Sequence, residues 1–135
     1  MQFKVIVWDW LGTLVTNGTP RHGASDLLYQ LHHKGISQVV LTNGHSKYID
    51  LHALSWDKWI ASVTGHECGY RKPDKRALLY ALNTINALPG RDVLIIGDSV
   101  SDKLCAENAD CQGLLLSHRC LSQVFDYFDL PLIAR

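Results

Sequence analysis

The sequence predicts an α/β fold, a three-layer, doubly wound parallel sheet in a single domain over residues 1–135. Two observations predict it: five short apolar runs mostly lack polar alternation, as strands buried on both faces do, and helical patterns lie between them. This alternation implies helices on both faces of the sheet, joined by right-handed crossovers. With 135 residues, 47% of them hydrophobic, we expect one sizeable core and no second domain.

The predicted strands are the apolar runs themselves. They cover residues 3–8, 38–41, 58–63, 92–96 and 113–116. Each run is far shorter than the roughly 18 residues that a membrane span requires. We therefore expect five strands and no transmembrane segment.

The clearest helical pattern covers residues 74–88. Its apolar side chains recur at helical spacing along one stripe, which consists of Ala77, Leu78, Ala81, Leu82, Ile85 and Leu88. Pro89 and Gly90 follow the last of these residues and are predicted to end the helix.

A second helix is predicted over residues 24–34. Ser25 or Asp26 is the expected N-cap, and Gly35 is expected to close the helix because glycine tolerates a left-handed conformation. Less regular patterns predict further helices at 46–54, 100–108 and 121–128.

Composition excludes several classes of partner and site. Thirteen Lys plus Arg balance thirteen Asp plus Glu, so no global field attracts nucleic acid or anionic lipid, and any phosphate site must be local. The segment MQFKVIVWDW lacks the long apolar core and cleavage site of a signal peptide, which predicts a cytoplasmic protein. Four cysteines without a CxxC pair predict free thiols rather than a disulfide scaffold or a zinc site.

Polar residues directly follow several of the apolar runs. Asp9 ends the first run, Thr42 the second and Asp98 the fourth; Lys72 precedes the long helix, and Asp102 lies four residues after Asp98. Taken singly, each is better explained as a turn residue, a helix cap or a solvated side chain. Taken together, they place carboxylates, a hydroxyl and an ammonium at the carboxyl edge of one sheet, where ligands of open parallel sheets bind.

These groups suit a divalent cation and a phosphoryl group. Clustered carboxylates repel unless a cation lies among them, and Mg²⁺ is the usual hard cation for oxygen ligands, so Asp9 and Asp98 are predicted to hold it. Lys72 would supply a fixed positive charge to the phosphoryl group. The predicted hydrogen-bond donors to that group are the Thr42 hydroxyl and the Asn43 and Gly44 amides. An aspartate can then attack phosphorus and form an aspartyl phosphate.

Four segments resemble, in order, the motifs of the haloacid dehalogenase (HAD) superfamily. WDWLGTL resembles the first motif and implies a nucleophile at Asp9, and LTNG resembles the second and implies phosphate binding by Thr42. VTGHECGYRKPD resembles the third motif as found in the subfamily with phosphoglycolate phosphatases and haloacid dehalogenases, which implies Lys72. IIGDSVSD resembles the fourth and implies Asp98 as a metal ligand and Asp102 as a second acidic residue near the metal or Lys72. The resemblance covers residues 3–116 and implies a Rossmann-like core that uses Mg²⁺.

Leu11 departs from the family pattern. Phosphatases of the superfamily carry an aspartate there, which protonates the leaving group and then activates water, and losing such a group lowers the rate by about 10²- to 10⁴-fold. The family uses the backbone carbonyl of this residue as a metal ligand, and a carbonyl survives any change of side chain. The resemblance therefore implies a metal site of Asp9, Leu11, Asp98 and Asp102.

The spacing of the motifs leaves no room for a cap domain. Only 28 residues separate Asp9 from the second predicted strand, and 29 lie between Thr42 and Lys72. An open site is poorly suited to enclosing a small substrate, so a large substrate or a partner would have to close it. Trp10 is predicted either to form an apolar wall for a ligand or, like the other tryptophans, to belong to the core or a subunit contact.

The predicted function is a Mg²⁺-dependent phosphohydrolase specialised or impaired by Leu11, best suited to aryl or acyl phosphates. One alternative is an inactive relative that keeps the site for binding or regulation and interacts through its tryptophan-containing segments; another is a dehalogenase- or phosphonatase-like hydrolase. The expected ligand is a phosphorylated small molecule or a macromolecular phosphate ester, with no nucleic-acid or membrane partner. A homodimer is left open.

Overall fold

A computed structural model describes residues 3–44, 49–117 and 121–131. Its strands are β1 (Val5–Trp8), β2 (Val15–Thr16), β3 (Thr19–Pro20), β4 (Ser37–Thr42), β5 (Ala61–Thr64), β6 (Val93–Gly97) and β7 (Gln112–Leu115). Five of them form a parallel sheet in the order β5-β4-β1-β6-β7, and β2 and β3 form an antiparallel hairpin. The predicted parallel sheet is confirmed.

The described helices are α1 (Ala24–His33), α2 (Gly65–Cys68), α3 (Lys75–Thr84), α4 (Val100–Asn108) and α5 (Ser122–Tyr127). None of these helices is long and apolar enough to cross a membrane. Described residues after β1 form only the small hairpin and α1 before β4 begins, and those between β4 and Lys72 form turns, β5 and α2, so neither stretch contains a cap domain.

Helices cover both faces of the sheet, as the unbroken apolar strands predict. Along β1, Ile6 and Trp8 pack into one buried cluster together with Leu27 of α1. Their neighbour Val7 packs into a second cluster with Leu78 of α3. Because successive side chains of a strand point to opposite faces, both faces of β1 must be apolar.

Each predicted strand is present, with its boundaries shifted by a few residues. The largest difference is in β5, which begins at Ala61 rather than at Lys58. The amides of Trp59 and Ile60 donate to the Trp56 carbonyl at 2.9 and 3.1 Å, so these residues form a turn before the strand.

The predicted end of the long helix is wrong. Helix α3 ends at Thr84, and Asn86 follows in a left-handed conformation with φ +57°. The Ala87 amide bonds back to the Leu82 carbonyl at 2.9 Å, which completes a Schellman-type cap. Leu88, predicted to lie on the buried stripe, is 83% exposed.

The predicted N-cap of α1 is also wrong. Gly23 occupies that position with φ +84°, so Ser25 and Asp26 lie inside the first turn. A Cβ on Gly23 would lie 3.3 Å from the Phe125 ring, so close packing as well as backbone conformation favours glycine. Gly35 closes the helix in the left-handed conformation, as predicted.

The predicted helix at 46–54 is not observed where the structure describes this segment. Residues 45–48 lie outside the described residues, and residues 49–55 form turns and irregular chain. Cys68, Cys105 and Cys111 are free thiols, as predicted, and Cys120 lies outside the described residues.

Candidate active site

The central strand of the sheet ends at Asp9. Strand β1 pairs with β4 on one side and β6 on the other, and the Asp9 amide extends the ladder by donating to the Ile96 carbonyl at 2.9 Å. The Asp9 side chain is 14% exposed, so it is largely shielded from water but open to a small ligand. The predicted nucleophile therefore lies on a rigid part of the backbone.

Lys72 joins two of the predicted acidic residues. Its Nζ donates to Asp9 Oδ1 at 3.1 Å, to Asp102 Oδ1 at 2.5 Å and to the Leu41 carbonyl at 2.8 Å. The side chain is 3% exposed, so these contacts replace its hydration. A cation held in this way between two carboxylates is fixed at the site rather than solvated.

Asn43 holds the backbone of Lys72 in place. Its Oδ1 accepts from the Lys72 amide at 2.8 Å, and its Nδ2 donates to the Lys72 carbonyl at 3.2 Å. The Asn43 side-chain amide thus bonds both backbone polar groups of Lys72, as a residue on a neighbouring β-strand does. This positioning role was not predicted, since Asn43 was assigned to phosphate binding.

Asp98 completes a group of three acidic residues. One carboxylate oxygen each of Asp9, Asp98 and Asp102 lies within 4.8 Å of the other two. Asp102 Oδ2 accepts from the Ser99 amide at 3.3 Å and the Ser99 hydroxyl at 3.0 Å, while its Oδ1 accepts from Lys72. Of the two roles predicted for Asp102, these bonds favour holding Lys72.

Two glycines allow the acidic residues to come this close. Gly97 lies directly beneath the Asp102 carboxylate and Gly12 beside that of Asp98, and an added Cβ at either glycine would overlap the carboxylate. Gly12 also has φ +79°, a conformation that side chains disfavour. The first motif therefore needs glycine at position 12 and the fourth at position 97, because the backbone there contacts a carboxylate directly.

Thr42 lies at the end of β4, next to β1. Its side chain is buried, and its Oγ1 accepts a hydrogen bond from the Gly44 amide at 3.3 Å. The hydroxyl proton is then directed away from Gly44 and can be donated to a ligand oxygen. Thr42, Asn43 and Gly44 form one turn at the same sheet edge as Asp9, as predicted.

Burial and the charged neighbours shift the pKa values of the acidic and basic groups at the site. Burial raises the pKa of the Asp9 carboxyl from 3.8 to about 6, although Lys72 lowers it in part and Asp102 raises it further. Burial also opposes the charge of Lys72, but Asp9 and Asp102 outweigh it and raise the pKa of Lys72 above its ordinary value. A second cation at Asp9 would favour its ionised form.

Leu11 presents an apolar side chain at the position of the missing acid. The side chain is 59% exposed. Val15 accepts from the Gly12 amide at 2.9 Å and donates to the Trp10 carbonyl at 3.2 Å, so the loop closes on either side of Leu11. Within the described residues, the Leu11 carbonyl accepts no hydrogen bond.

The donor set fits a hard divalent cation. Asp9 and Asp98 supply carboxylate oxygens, and a backbone carbonyl such as that of Leu11, which accepts no hydrogen bond among the described residues, is a second type of oxygen that Mg²⁺ accepts. The oxygens of Asp102 are already engaged by Lys72 and Ser99. The arrangement can bring together a cation, a phosphoryl group and a carboxylate nucleophile.

Trp10 does not form a wall of the site. It is 3% exposed, and its ring packs edge-to-face on Trp56 with 5.9 Å between centroids. Trp8 and Trp56 are fully buried as well, and their indole NH groups donate to Gln38 and Ser25. Of the roles predicted for Trp10, the core role is the one observed.

Comparison with known proteins agrees with this geometry. A sequence profile of haloacid dehalogenase-like hydrolases matches residues 3–110. A phosphoglycolate phosphatase of Pseudomonas fluorescens (strain Pf0-1) is 30% identical over 99 residues, which cover 68% of this chain and 35% of that protein. The chain thus spans about a third of the length of this curated relative.

Solved structures with little sequence identity share the fold. A HAD-superfamily hydrolase from Ehrlichia chaffeensis has a TM-score of 0.82 at 16% identity, covering 95% of this chain and 97% of the other. A hydrolase from Streptococcus pneumoniae TIGR4 has a TM-score of 0.81 at 16% identity, covering 96% of this chain and all of the other (100%). With four motifs gathered at one sheet edge and a profile match over most of its length, the chain belongs to the haloacid dehalogenase-like hydrolase family.

Proposed function

We propose that this protein is a Mg²⁺-dependent phosphohydrolase that forms an aspartyl phosphate at Asp9. One observation carries the proposal: Lys72 Nζ bonds both Asp9 and Asp102, and an Asp98 oxygen lies within 4.8 Å of oxygens on both acids. Lys72 pairs with two of the three carboxylates, which leaves the Asp98 carboxylate beside them without a cation among the described ion pairs. A site that awaits a further cation explains this arrangement.

The residues have separate tasks in this reaction. Asp9, Asp98 and the Leu11 carbonyl would hold Mg²⁺, which neutralises negative charge between the carboxylates and the phosphoryl group. A carboxylate oxygen of Asp9 attacks phosphorus, and the bond from phosphorus to the leaving oxygen breaks with its electron pair. Lys72 and the Thr42 hydroxyl stabilise the charge on the phosphoryl oxygens. Water then attacks the phosphorus of the aspartyl phosphate and releases phosphate, which regenerates Asp9.

Leu11 restricts the class of substrate. It has no proton to give to a departing alkoxide and no basic atom to activate water, a loss of about 10²- to 10⁴-fold in rate for reactions that need such a group. Aryl and acyl phosphates leave as weakly basic anions and depend less on protonation. We therefore place the substrate among phosphate esters or anhydrides with good leaving groups.

The curated relatives support a phosphatase rather than another reaction of the family. Those matched are phosphoglycolate phosphatases, at 28 to 30% identity. A cytoplasmic location and a dehalogenase- or phosphonatase-like reaction both stay predictions. Release of halide from a haloacid, or of inorganic phosphate from a phosphonate, would favour the latter.

The first experiment measures phosphate release from 4-nitrophenyl phosphate by purified protein with and without Mg²⁺. We expect Mg²⁺-dependent turnover that Asp9→Asn abolishes and that Asp126→Asn, a matched change on the exposed side of α5, leaves intact. Turnover retained by Asp9→Asn contradicts the nucleophile. A structure with Mg²⁺ and beryllofluoride then tests whether the phosphate mimic sits on Asp9.

A second candidate is a relative that keeps the site for binding or regulation without turnover. Leu11 is the observation that favours it, because the side chain removes the acid and base while its carbonyl remains. Trp8, Trp10 and Trp56 are buried and cannot themselves contact a partner, whereas Trp59 is partly exposed and is the tryptophan that this candidate can use. Phosphate release from a broad panel of esters that Lys72→Ala abolishes would exclude it.

A further inference from the structure

A cavity adjoins the predicted phosphate-binding turn where β4 and β5 end. It has a volume of about 400 Å³ and is lined by Asn43, Gly44, Gly65, His66, Gly69 and Arg71. Asn43 and Gly44 belong to the same turn as Thr42, whose Oγ1 lies 3.3 Å from the Gly44 nitrogen. A molecule with one group at Thr42 can therefore reach the cavity with a second group.

The walls of this cavity are tied to the catalytic lysine. Asn43 bonds both the amide and the carbonyl of Lys72, so the chain entering and leaving that residue is held against the turn. On the facing wall, a Cβ on Gly65 would lie 3.3 Å from the Asn43 backbone and 3.1 Å from the Tyr70 carbonyl. A side chain at this position would push the two walls apart by a few tenths of an ångström, so glycine favours their close approach.

The charge of the cavity is positive. Arg71 lines it, and none of the six lining residues is acidic. The nearest carboxylates along the chain are engaged elsewhere: Glu67 Oε1 accepts from the Thr64 amide at 3.2 Å, and Asp74 pairs with Arg76 at 2.7 Å. Hydrogen bonds and ion pairs among the described residues do not include the Arg71 guanidinium, which is exposed.

Arg71 and Lys72 are adjacent in the chain, but their positive charges lie in different parts of the site. Lys72 is buried and committed to Asp9 and Asp102, whereas Arg71, its neighbour in the chain, lines the cavity. A guanidinium presents paired donors that match the oxygens of a carboxylate or a phosphate. We infer that the cavity formed by Asn43, Gly44, Gly65, His66, Gly69 and Arg71 binds a second oxyanion of the substrate, which makes the preferred ligand a phosphate ester that carries another anionic group.

This inference rests on the proposed function, since it assumes that a phosphoryl group occupies the site at Asp9. It concerns binding, however, and can be measured without turnover. Asp9→Asn keeps the shape of the nucleophile and prevents hydrolysis, so calorimetry on this variant with Mg²⁺ gives the Kd of an intact ester.

Three probes separate the contributions. 2-Phosphoglycolate and ethyl phosphate differ by a carboxylate in place of a methyl group, and ethane-1,2-diol bisphosphate carries a second phosphate instead. We expect 2-phosphoglycolate, the bisphosphate or both to bind at least tenfold more tightly than ethyl phosphate, as a charge-assisted bond to an arginine contributes about that factor or more. The tighter of the two identifies which oxyanion the cavity accepts.

Arg71→Ala should reduce this preference about tenfold, Arg71→Lys should restore part of it, and Arg91→Ala, a change of an exposed arginine outside the cavity, should leave it intact. The inference is overturned if neither probe with a second anionic group binds more tightly than ethyl phosphate, including the case in which none binds. It is also overturned if the preference survives Arg71→Ala. Absence of turnover in the wild-type protein would count against the proposed function alone.

Discussion

Replacing Lys72 with methionine tests the electrostatic design of the site. The substitution keeps an unbranched, mainly apolar side chain that is one atom shorter, but removes the ammonium that bonds Asp9 at 3.1 Å and Asp102 at 2.5 Å. Both carboxylates then remain in a shielded site without their shared counter-charge. Removing one partner of a buried ion pair costs about 3–5 kcal/mol. Typical domains have a stability of about 5–15 kcal/mol, so we expect a weakened but folded protein.

The loss of stability should depend on pH and on Mg²⁺. Without Lys72 the pKa of Asp9 rises beyond its value of about 6, because a cause that lowers it is gone. At pH 5 Asp9 takes up a proton and the repulsion is relieved, so the loss should be smaller than at pH 8. Mg²⁺ should restore part of the stability at pH 8, since a divalent cation among the same carboxylates replaces the lost charge.

Urea unfolding followed by tryptophan fluorescence measures these effects, with Lys103→Met on the exposed face of α4 as the control. A Lys72→Met protein that is no less stable than Lys103→Met in Mg²⁺-free buffer at pH 8 would refute the assignment of Lys72 as the counter-charge. If Lys72→Met loses as much unfolding free energy at pH 5 as at pH 8, the carboxylates are not the cause of that loss.

Four other predictions concern the metal site and the missing acid. Gly12→Ala should lower the free energy of unfolding by more than about 1 kcal/mol and weaken Mg²⁺ binding, because the added Cβ would overlap the Asp98 carboxylate. Gly18→Ala is the control: Gly18 also has a positive φ (+76°) but open space around it, so this variant should show the backbone strain alone. In the metal-free protein, the stability due to Asp9 should fall as pH rises from 3.8 through about 6, since its pKa is raised on folding. Mg²⁺ needs the ionised carboxylate, so its apparent Kd from thermal shift should rise about fivefold between pH 6 and pH 5. Leu11→Asp should raise turnover of alkyl phosphates by about 10²- to 10⁴-fold at little cost in stability, because the side chain is exposed; an unchanged rate would contradict the role assigned to Leu11.

The strands and the principal site residues could be predicted because both depend on local patterns. Runs buried on two faces must be apolar throughout, and the polar residue that ends each run has to emerge at the same edge. Asp9, Thr42 and Asp98 were found in this way. Lys72 does not follow a strand. Its assignment relied instead on its position just before the long helix and on the resemblance of its segment to the third motif.

The role of Asn43 could not be predicted, because it depends on a contact 29 residues away in the chain. Nothing in LTNG distinguishes a side chain that binds phosphate from one that pairs with the backbone of Lys72. The core position of Trp10, by contrast, follows from parity. Ile6, Trp8 and Trp10 occupy every second position and alternate with Val5 and Val7. Side chains at every second position point to the same face, and these three pack in one cluster while the two valines pack in the other.

Helix ends were predicted less well because several residues compete to end a helix. Pro89 and Gly90 were the obvious breakers after α3, yet Asn86 ends it earlier by adopting φ +57°. At α1 the polar Ser25 and Asp26 looked like better caps than Gly23. Packing against Phe125 decided in favour of the glycine.

The long sequence separations within the site determine when it can form. Lys72 lies 63 residues from Asp9 and 30 from Asp102, and these partners sit on either side of it in the chain. No fragment of the protein brings them together through local contacts, and loop-closure entropy delays such distant pairings during folding. Competence to bind a cation and a phosphoryl group therefore requires that β1, β4 and β6 be assembled together, so a chain in which one of these strands is unpaired should be unable to sequester either.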